Sequence, residues 1–362
     1  MRRLDPLVQF LGPVALLVAV GVVGSFMDRA RELEFRDAIV AAAIVVALYV
    51  FVGNSGVLSF GQVSFVAVGA FAAGVMTIPV DQKLVIVPGL FPFLAHHSIG
   101  NAESLLLAAG LGGLYAFLVG IPLMRLSGLA AGIATLAVLG VTHNILRNWE
   151  KIGPGAQTLS TVPETTDLLQ ATAGAGAVVV IAFLYQRSRF GRQLRAARED
   201  PAAAQAAGID IHRQRLWAFT LSGALSGFAG GLYVHFLGTL STEDVYLQLT
   251  FLSLAMLVVG GVSSLWGAVV GALIVSGLDS FLLDAENGEI GFTLPGGTRL
   301  VAVGAFMALV LVFMPSGLTG GKEFSLRLGR VRRRRVEVST SATPSQSRSS
   351  AGRRRAARRR PS

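Results

Sequence analysis

The chain has 362 residues, of which 52% are hydrophobic and only 14% charged, with 43 glycines, no cysteine and a mean hydropathy of +0.62. That balance excludes an ordinary soluble domain and fits a bundle whose solvent is lipid, where glycine lets helix backbones approach closely. The missing cysteines exclude structural disulfides and thiolate metal sites, and the formal net charge of +10 belongs to one end: residues 1–321 carry a net −2 and residues 322–362 a net +12.

Taken in chain order, Met1, Arg2 and Arg3 precede an apolar run over 7–27 that at first glance resembles a signal peptide. The run is as long as a bilayer-spanning helix and no small-x-small cleavage site follows it, so the expectation is a retained first span. A helix needs about 20 apolar residues to cross the hydrocarbon core. Ten segments approach that length: 7–27, 36–53, 57–78, 104–124, 126–146, 171–186, 216–238, 246–265, 266–283 and 299–314. Several are short or broken by glycine, so the expected number of spans is eight to ten.

The loop 187–215 carries Arg187, Arg189, Arg192, Arg195, Arg198, Arg213 and Arg215. By the positive-inside rule it lies in the cytoplasm. Six spans before it and four after it then place both chain ends there, with Arg125 inside and His96, His97 and the loop 147–170 outside.

Residues 53–76 mix Asn54, Ser55, Ser59, Gln62 and Ser64 with five glycines. Unsatisfied polar groups in hydrocarbon cost several kcal/mol each, so this segment faces protein or a wet cavity. Two readings stay open: packing through small residues, or a broken or re-entrant helix lining a solute path. Small-xxx-small pairs recur at Gly128/Gly132, Gly223/Gly227, Gly227/Gly231 and Gly267/Gly271 and mark expected helix contacts of no particular function.

In the stretch 188–233, helix formers run from Gln193 to Ala207, interrupted by Pro201, and Gly208 ends the run. A short helix lying along the membrane is expected, and its arginines also suit an anionic leaflet. The sequence GRQLRAAREDPAAAQAAGI closely resembles the coupling-helix signature of ATP-binding-cassette (ABC) importer permeases, in particular the LivM-type branched-chain amino acid permeases. GVLSFGQVSFVAVGAFAAGVM (56–76), RLSGLAAGIATLAVLGVTHNILRN (125–148) and VVGGVSSLWGAVVGAL (258–273) match the same family in the same order, and FMPSGL (313–318) resembles its closing motif. The resemblance covers about 36–318. It implies that the loop fits a groove on an ATPase subunit, with Arg198, Glu199, Asp200, Ala203, Ala204, Gly208 and Ile209 as the coupling residues. Alanines permit close approach, the charged cluster fixes register and glycine turns the chain back toward the bilayer. Ser316 stands where the family usually has a basic residue, and loops 79–103 and 147–170 depart from the family pattern.

No phosphate loop is present, since in SGLTGGKE Ser316 replaces the first glycine and Glu323 the Ser or Thr that must follow lysine. The five histidines show no metal-ligand spacing. His143 and His235 read as neutral, hydrogen-bonded side chains near span ends, and Asp279 as an interface acid rather than a proton relay. The arginine clusters 332–335 and 353–360 suit anionic lipid better than nucleic acid.

The expected fold is therefore all-α, a polytopic transmembrane bundle of the ABC importer permease type. It divides into an N-terminal span and external loop (1–35), the permease domain with its coupling loop (36–320) and a basic cytoplasmic tail without a fold of its own (321–362). The resemblance implies a non-catalytic transport subunit of the cytoplasmic (inner) membrane with no cofactor of its own, ATP and magnesium being bound by two partner ATPase subunits. It further implies a second, homologous permease subunit and a periplasmic or lipid-anchored solute-binding protein. The solute would be a branched-chain amino acid or a related small molecule, and Asn54, Ser55, Gln62, Ser64 and Thr135 are the pathway candidates. A passive channel or ion-coupled transporter for urea or an amide is the alternative. It calls for intramembrane ionisable residues, which the spans mostly lack.

Overall fold

A computed structural model describes residues 5–288, 294–314 and 316–320; the basic tail lies outside the described residues. Within them the chain forms fourteen helices: α1 (Asp5–Gly24), α2 (Arg29–Ser55), α3 (Gln62–Thr77), α4 (Val80–Ile86), α5 (Pro92–His96), α6 (Asn101–Leu123), α7 (Gly128–Asn148), α8 (Leu168–Arg187), α9 (Arg189–Glu199), α10 (Pro201–Ala206), α11 (Ile211–Leu237), α12 (Leu247–Gly260), α13 (Leu265–Asn287) and α14 (Thr298–Phe313). The described residues hold one isolated antiparallel bridge, Leu159 with Leu240.

Ten of these helices fall on the ten expected apolar segments. Five (α2, α6, α7, α8 and α13) are long and apolar enough to cross a membrane, and α3, α12, α14 and residues 11–24 are shorter apolar helices. At 27 residues α11 is as long as α2, but serines and glycines dilute its apolarity. The outward faces of α6 and α7 present Leu106, Leu114, Leu118, Leu129 and Ile133 to the surroundings. An exposed apolar belt of this kind is what a lipid solvent favours.

Two helices form the centre. From Ala38 to Ser55 every residue of α2 except Ala41 is buried, as expected of a helix that is hydrophobic all round. It packs on α8, α11, α12 and α13. The Tyr49 hydroxyl donates to Gln186 of α8 (2.8 Å), and Ser222 of α11 donates to the Ala47 carbonyl (2.6 Å). The second centre, α11, lies between α2, α3 and α6. Its contacts are backbone to backbone. A methyl group on Gly227 would stand 2.3 Å from the Ala108 carbonyl oxygen of α6, and one on Gly230 would stand 2.1 Å from the Val66 carbonyl oxygen of α3. Only glycine permits these approaches. Phe219 then fills the wider end of the seam, edge-on to Phe51 and Phe65.

The small-xxx-small expectation holds for Gly223, Gly227 and Gly231, whose missing Cβ atoms admit residues of α6, and for Gly267 and Gly271, whose missing Cβ atoms admit the backbone around Gly260. It fails for Gly128, which faces open space, and at Gly132 a methyl group would meet the Phe60 ring at 3.3 Å and the Leu58 carbonyl at 3.6 Å, both in the break rather than in a helix. The spacing is the same; what differs is whether another helix lies opposite.

Successive spans run back and forth between two ends. One end gathers the break 56–61, the turn 124–127, the loop 187–215, the turn 261–264 and residues 316–320. There the Arg215 guanidinium reaches the Leu126 carbonyl (3.4 Å) and the Leu318 N–H donates to the Val259 carbonyl (2.8 Å). The opposite end gathers 77–100, 148–167 and 237–247, tied by Ile99 N–H to Met76 (3.0 Å), Phe91 N–H to Lys151 (3.0 Å) and the Leu159–Leu240 bridge. Here Lys83 is buried under α5 and donates to the carbonyls of Leu94 (3.1 Å) and His97. Burial pushes its pKa below the ordinary 10.5.

If the α11 seam holds the bundle together, Gly227→Ala should destabilise the protein by about 1–3 kcal/mol through overpacking. Gly110→Ala, at an open position of α6, should be neutral or stabilising by up to about 1 kcal/mol. Thermal unfolding of the two variants in detergent checks this, and equal midpoints would contradict the seam.

Candidate translocation path and coupling site

The segment 53–76 is a broken helix. Gly56 closes α2 in the left-handed conformation (φ 70°), six residues run without helix, and α3 starts only at Gln62. The span expected over 57–78 is therefore shorter by its first turn. The break is fixed from α7. The Phe60 N–H donates to Thr135 Oγ1 (3.1 Å), whose own hydroxyl donates to the Gly132 carbonyl (2.7 Å). Gly61 lies directly against the Thr135 backbone.

All five pathway candidates are buried around this break, Asn54 and Ser55 before it, Gln62 and Ser64 after it and Thr135 against its side. Asn54 spends its amide N–H on the Val50 carbonyl (2.9 Å), and Ser55 accepts from the Val57 N–H (3.2 Å). Five neighbouring side-chain atoms have no hydrogen-bond partner among the described residues: Asn54 Oδ1, Ser59 Oγ, both amide atoms of Gln62 and Ser64 Oγ. Such atoms ordinarily cost about 1–3 kcal/mol each when left unpaired, so a cluster of them marks a place whose partners come from elsewhere.

The coupling loop meets the break directly. The Arg198 guanidinium donates to the carbonyl of Gly53, in the last turn of α2, and the Arg198 stem lies over Gly56. Carbonyls in the last turn of a helix lack intrahelical partners and carry the negative end of its dipole, which makes them favourable acceptors for a cation. Gly53 also packs on the Val262 carbonyl in the turn between α12 and α13.

Of the other coupling candidates, Glu199, Asp200, Ala203 and Gly208 are exposed, Ile209 is half-buried and Ala204 is buried. The loop holds two helices rather than one. Asp200 separates them and caps α10, accepting from the N–H groups of Ala202 and Ala203 (3.0 Å each), with Pro201 in the first position that tolerates it. Gly208 has φ 79° and open space around it. The motif thus splits into an inward hand, Arg198, and an outward knob of small residues, α10.

Sequence reasoning missed Gly53, Val262, Leu318 and Thr319. The closing motif is held by backbone rather than by a basic side chain at 316: Thr319 donates its N–H (3.2 Å) and hydroxyl (2.8 Å) to the Gly260 carbonyl. The main-chain part of this docking leaves no residue-type signal. Also missed is a cavity of 180 Å³ between α2, α11, α12 and α13, which extends from Asp37 to Val45 on α2 and from Gln248 to Met256 on α12. None of the five pathway candidates lines it. Asp279, in its wall, pairs with Arg299 of α14 (3.3 Å), in agreement with an interface role. His235 lies between the Pro163 carbonyl (3.2 Å) and Ser104 Oγ (3.0 Å), while His143 stacks on Tyr246 and faces Glu243 at 3.5 Å.

Discontinuous helices inside a polytopic bundle are the form in which many membrane transporters build their binding sites. The chain belongs to the family described as branched-chain amino acid transport system/permease component, whose model matches residues 35–315. It is therefore a multi-pass, non-catalytic transport subunit of the ABC permease type. It is similar to the high-affinity branched-chain amino acid transport permease LivM of Escherichia coli, at 26% identity over 86% of this chain and 75% of that protein. It is also similar to the LivM-type permease of Methanocaldococcus jannaschii, at 27% identity over 74% and 86%. The autoinducer 2 import permease LsrC of an Enterobacter strain is 27% identical over 78% and 86%. No solved structure matches.

Replacing Arg198 by Gln removes a charge-assisted hydrogen bond to the α2 end, a loss of about 1.5–3 kcal/mol at that contact. Hydrogen exchange of the amides around 53–61 should then quicken while exchange at the opposite bundle end stays as in the parent. Unchanged exchange at the break would show that Arg198 does not hold it.

Proposed function

We infer that the chain forms one half of the membrane path of an ATP-driven importer and moves a branched-chain amino acid or a solute of similar size. The observation that carries this reading is the bond between Arg198 and the Gly53 carbonyl, because it joins the exposed α10 knob to the broken central helix in one step. Force applied to α10 reaches α2 through α9 and the Arg198 side chain, with no flexible linker between them.

The path reading adds the cavity at the other end. On α2, Val45 at the cavity floor and Gly53 at the break are eight residues apart, about 12 Å at 1.5 Å per residue. Between them α2 is packed shut, so the cavity and the break are separated by one closed layer. Opening the break while closing the cavity is alternating access. The two ends differ in charge as the positive-inside rule requires, since the end with Arg198 also holds Arg125 and the arginines of 187–215. That end is the cytoplasmic one, where two ATPase subunits would bind α10 of this chain and of a second, homologous permease. The opposite loops, with α4 and α5, would meet a solute-binding protein, and the arginine tail would rest on anionic lipid. Relatives named for branched-chain amino acids and for autoinducer 2 support small polar solutes as a class, and family membership favours the ATP-driven reading over a passive channel.

Gly208→Arg places a large cation in open space beside α10 and strains a left-handed residue by about 1–3 kcal/mol. The variant should insert into the membrane normally and abolish ATP-dependent uptake; normal uptake would contradict the coupling role. Deleting residues 322–362 should leave uptake in place, and a loss of uptake in a fully assembled complex would place the tail inside the mechanism instead.

A further inference from the structure

Three pieces of the chain meet at the bundle end that holds Arg198. The Gln214 amide of α11 donates to Gln193 of α9 (3.0 Å), and Arg215 reaches the Leu126 carbonyl in the turn between α6 and α7 (3.4 Å). Arg125 in that turn and Arg213 at the start of α11 are exposed, and Arg215 is half-buried. Among the described residues no ion pair involves any of the three. The acid nearest Arg213 and Arg215 in sequence is Asp210, which caps α11 by accepting from the Arg213 N–H (3.1 Å). Three guanidinium groups thus stand against one carboxylate. Arg215 is also short of acceptors. A guanidinium offers five donors, yet the long bond to Leu126 is its only hydrogen bond among the described residues, and its Nε is bonded to nothing.

A second observation is independent of charge. Trp217, one turn along α11 from Arg213, leaves 48% of its surface exposed and tilts against the Phe117 ring of α6, with ring centroids 6.4 Å apart. On α6 the exposed residues Leu114, Leu118 and Ile121 form a stripe that leads to Arg125, just past the α6 C-cap. An apolar track with an indole beside it therefore runs along the α6–α11 seam into a cluster of cations. A single leaflet presents matching chemistries in the same direction, from hydrocarbon through the interface where tryptophan collects to the headgroup phosphates.

We propose that this end of the seam is a binding site for one anionic phospholipid. Arg125 and Arg215 hold the phosphate, Arg213 stands at the rim, Trp217 packs on the glycerol region and an acyl chain lies along Leu114, Leu118 and Ile121. Arginine suits the task because its fork bonds two phosphate oxygens at once. A zwitterionic lipid offers the same phosphate but brings an ammonium group to a patch that is already cationic, and that is the source of preference. The site requires only that the chain spans a bilayer, and it uses neither the basic tail nor the coupling residues. A lipid bound there bridges α6, the α6–α7 turn and α11, so the glycine seam becomes sensitive to leaflet composition.

The test uses the intact transporter, reconstituted in mixed vesicles of phosphatidylcholine and phosphatidylglycerol, and does not depend on transport. One lipid at a time carries brominated acyl chains, which quench nearby tryptophan, and the Trp217 signal is the difference between each protein and its Trp217→Phe counterpart. Brominated phosphatidylglycerol should quench Trp217 more strongly, mole for mole, than brominated phosphatidylcholine, by at least about fivefold, the factor that one arginine contributes near an anionic surface. The preference should vanish in the Arg125→Gln/Arg215→Gln double variant, persist in part in Arg125→Lys and persist fully when residues 322–362 are deleted. Equal quenching by the two lipids in the parent, or an unchanged preference in the double variant, overturns the proposal. A preference lost on deleting the tail alone overturns it in favour of the tail. Absence of quenching by either lipid also overturns it, because a protein partner then covers this face, and so does a preference abolished by soluble glycerol phosphate, which marks an ion site without a lipid. Should the double variant fail to fold, Arg125→Gln at its exposed turn position takes its place, with a reduced preference expected and an unchanged one overturning the proposal.

Discussion

The structure depends on how closely α11 approaches α3 and α6. In lipid there is no hydrophobic gain from pressing two apolar helices together, since the surrounding chains are as apolar as leucine. What remains is dispersion between atoms in contact, and that rises steeply as the backbones close. Gly227 and Gly230 bring α11 within reach of the carbonyls of Ala108 and Val66, where any Cβ would collide. The abundance of glycine in the composition follows from this need, and so does the low apolarity of a 27-residue helix that is nonetheless central.

A rigid seam on one side of α11 leaves the other side to do the moving. α2 touches α11 through side chains, Ser222 on Ala47 and Phe219 on Phe51, and it ends in a break rather than in a loop. Side-chain contacts can exchange partners with less strain than interlocked backbones can, so α2, α12 and α13 are the set best placed to shift as a unit against α3, α6 and α11. The cavity lies between that first set and α11, which contributes Tyr233 to its wall, and Arg198 holds the α2 end at the break. Stiffness and mobility are thus divided by residue size along the faces of a single helix.

Much of this was legible in the sequence for a simple reason: span positions depend on local apolarity, and local apolarity is written locally. All ten segments became helices. The start of α3 was misplaced because apolar residues such as Val57 and Leu58 continue through the break, while the break itself is imposed from Thr135, 75 residues away from Phe60. Pro201 showed that the loop helix was interrupted, but the use of Asp200 as a new cap needed the geometry. Gly128 and Gly132 share the spacing of Gly223 and Gly227 yet meet no helix at close range, so spacing alone does not name a partner. The acid cavity was illegible for the same reason. Asp37, Asp244 and Asp279 lie on separate parts of the chain, and each alone reads as a charge near a span end.

The unpaired polar atoms around the break bear on how such a device could work at all. Asn54, Ser59, Gln62 and Ser64 together leave five buried side-chain atoms without hydrogen-bond partners among the described residues. If each costs about 1–3 kcal/mol, the sum is comparable with the whole stability of a domain, and a sequence optimised for one closed state would replace them with alanine or leucine. Their retention is explained when a second state of the protein wets this region and satisfies them. In the structure described, the α2 end is held by the Gly53–Val262 packing and by the Arg198 hydrogen bond. An arginine is suited to that role, since its fork holds a helix-end carbonyl firmly while the same side chain remains attached to a loop that a partner can pull.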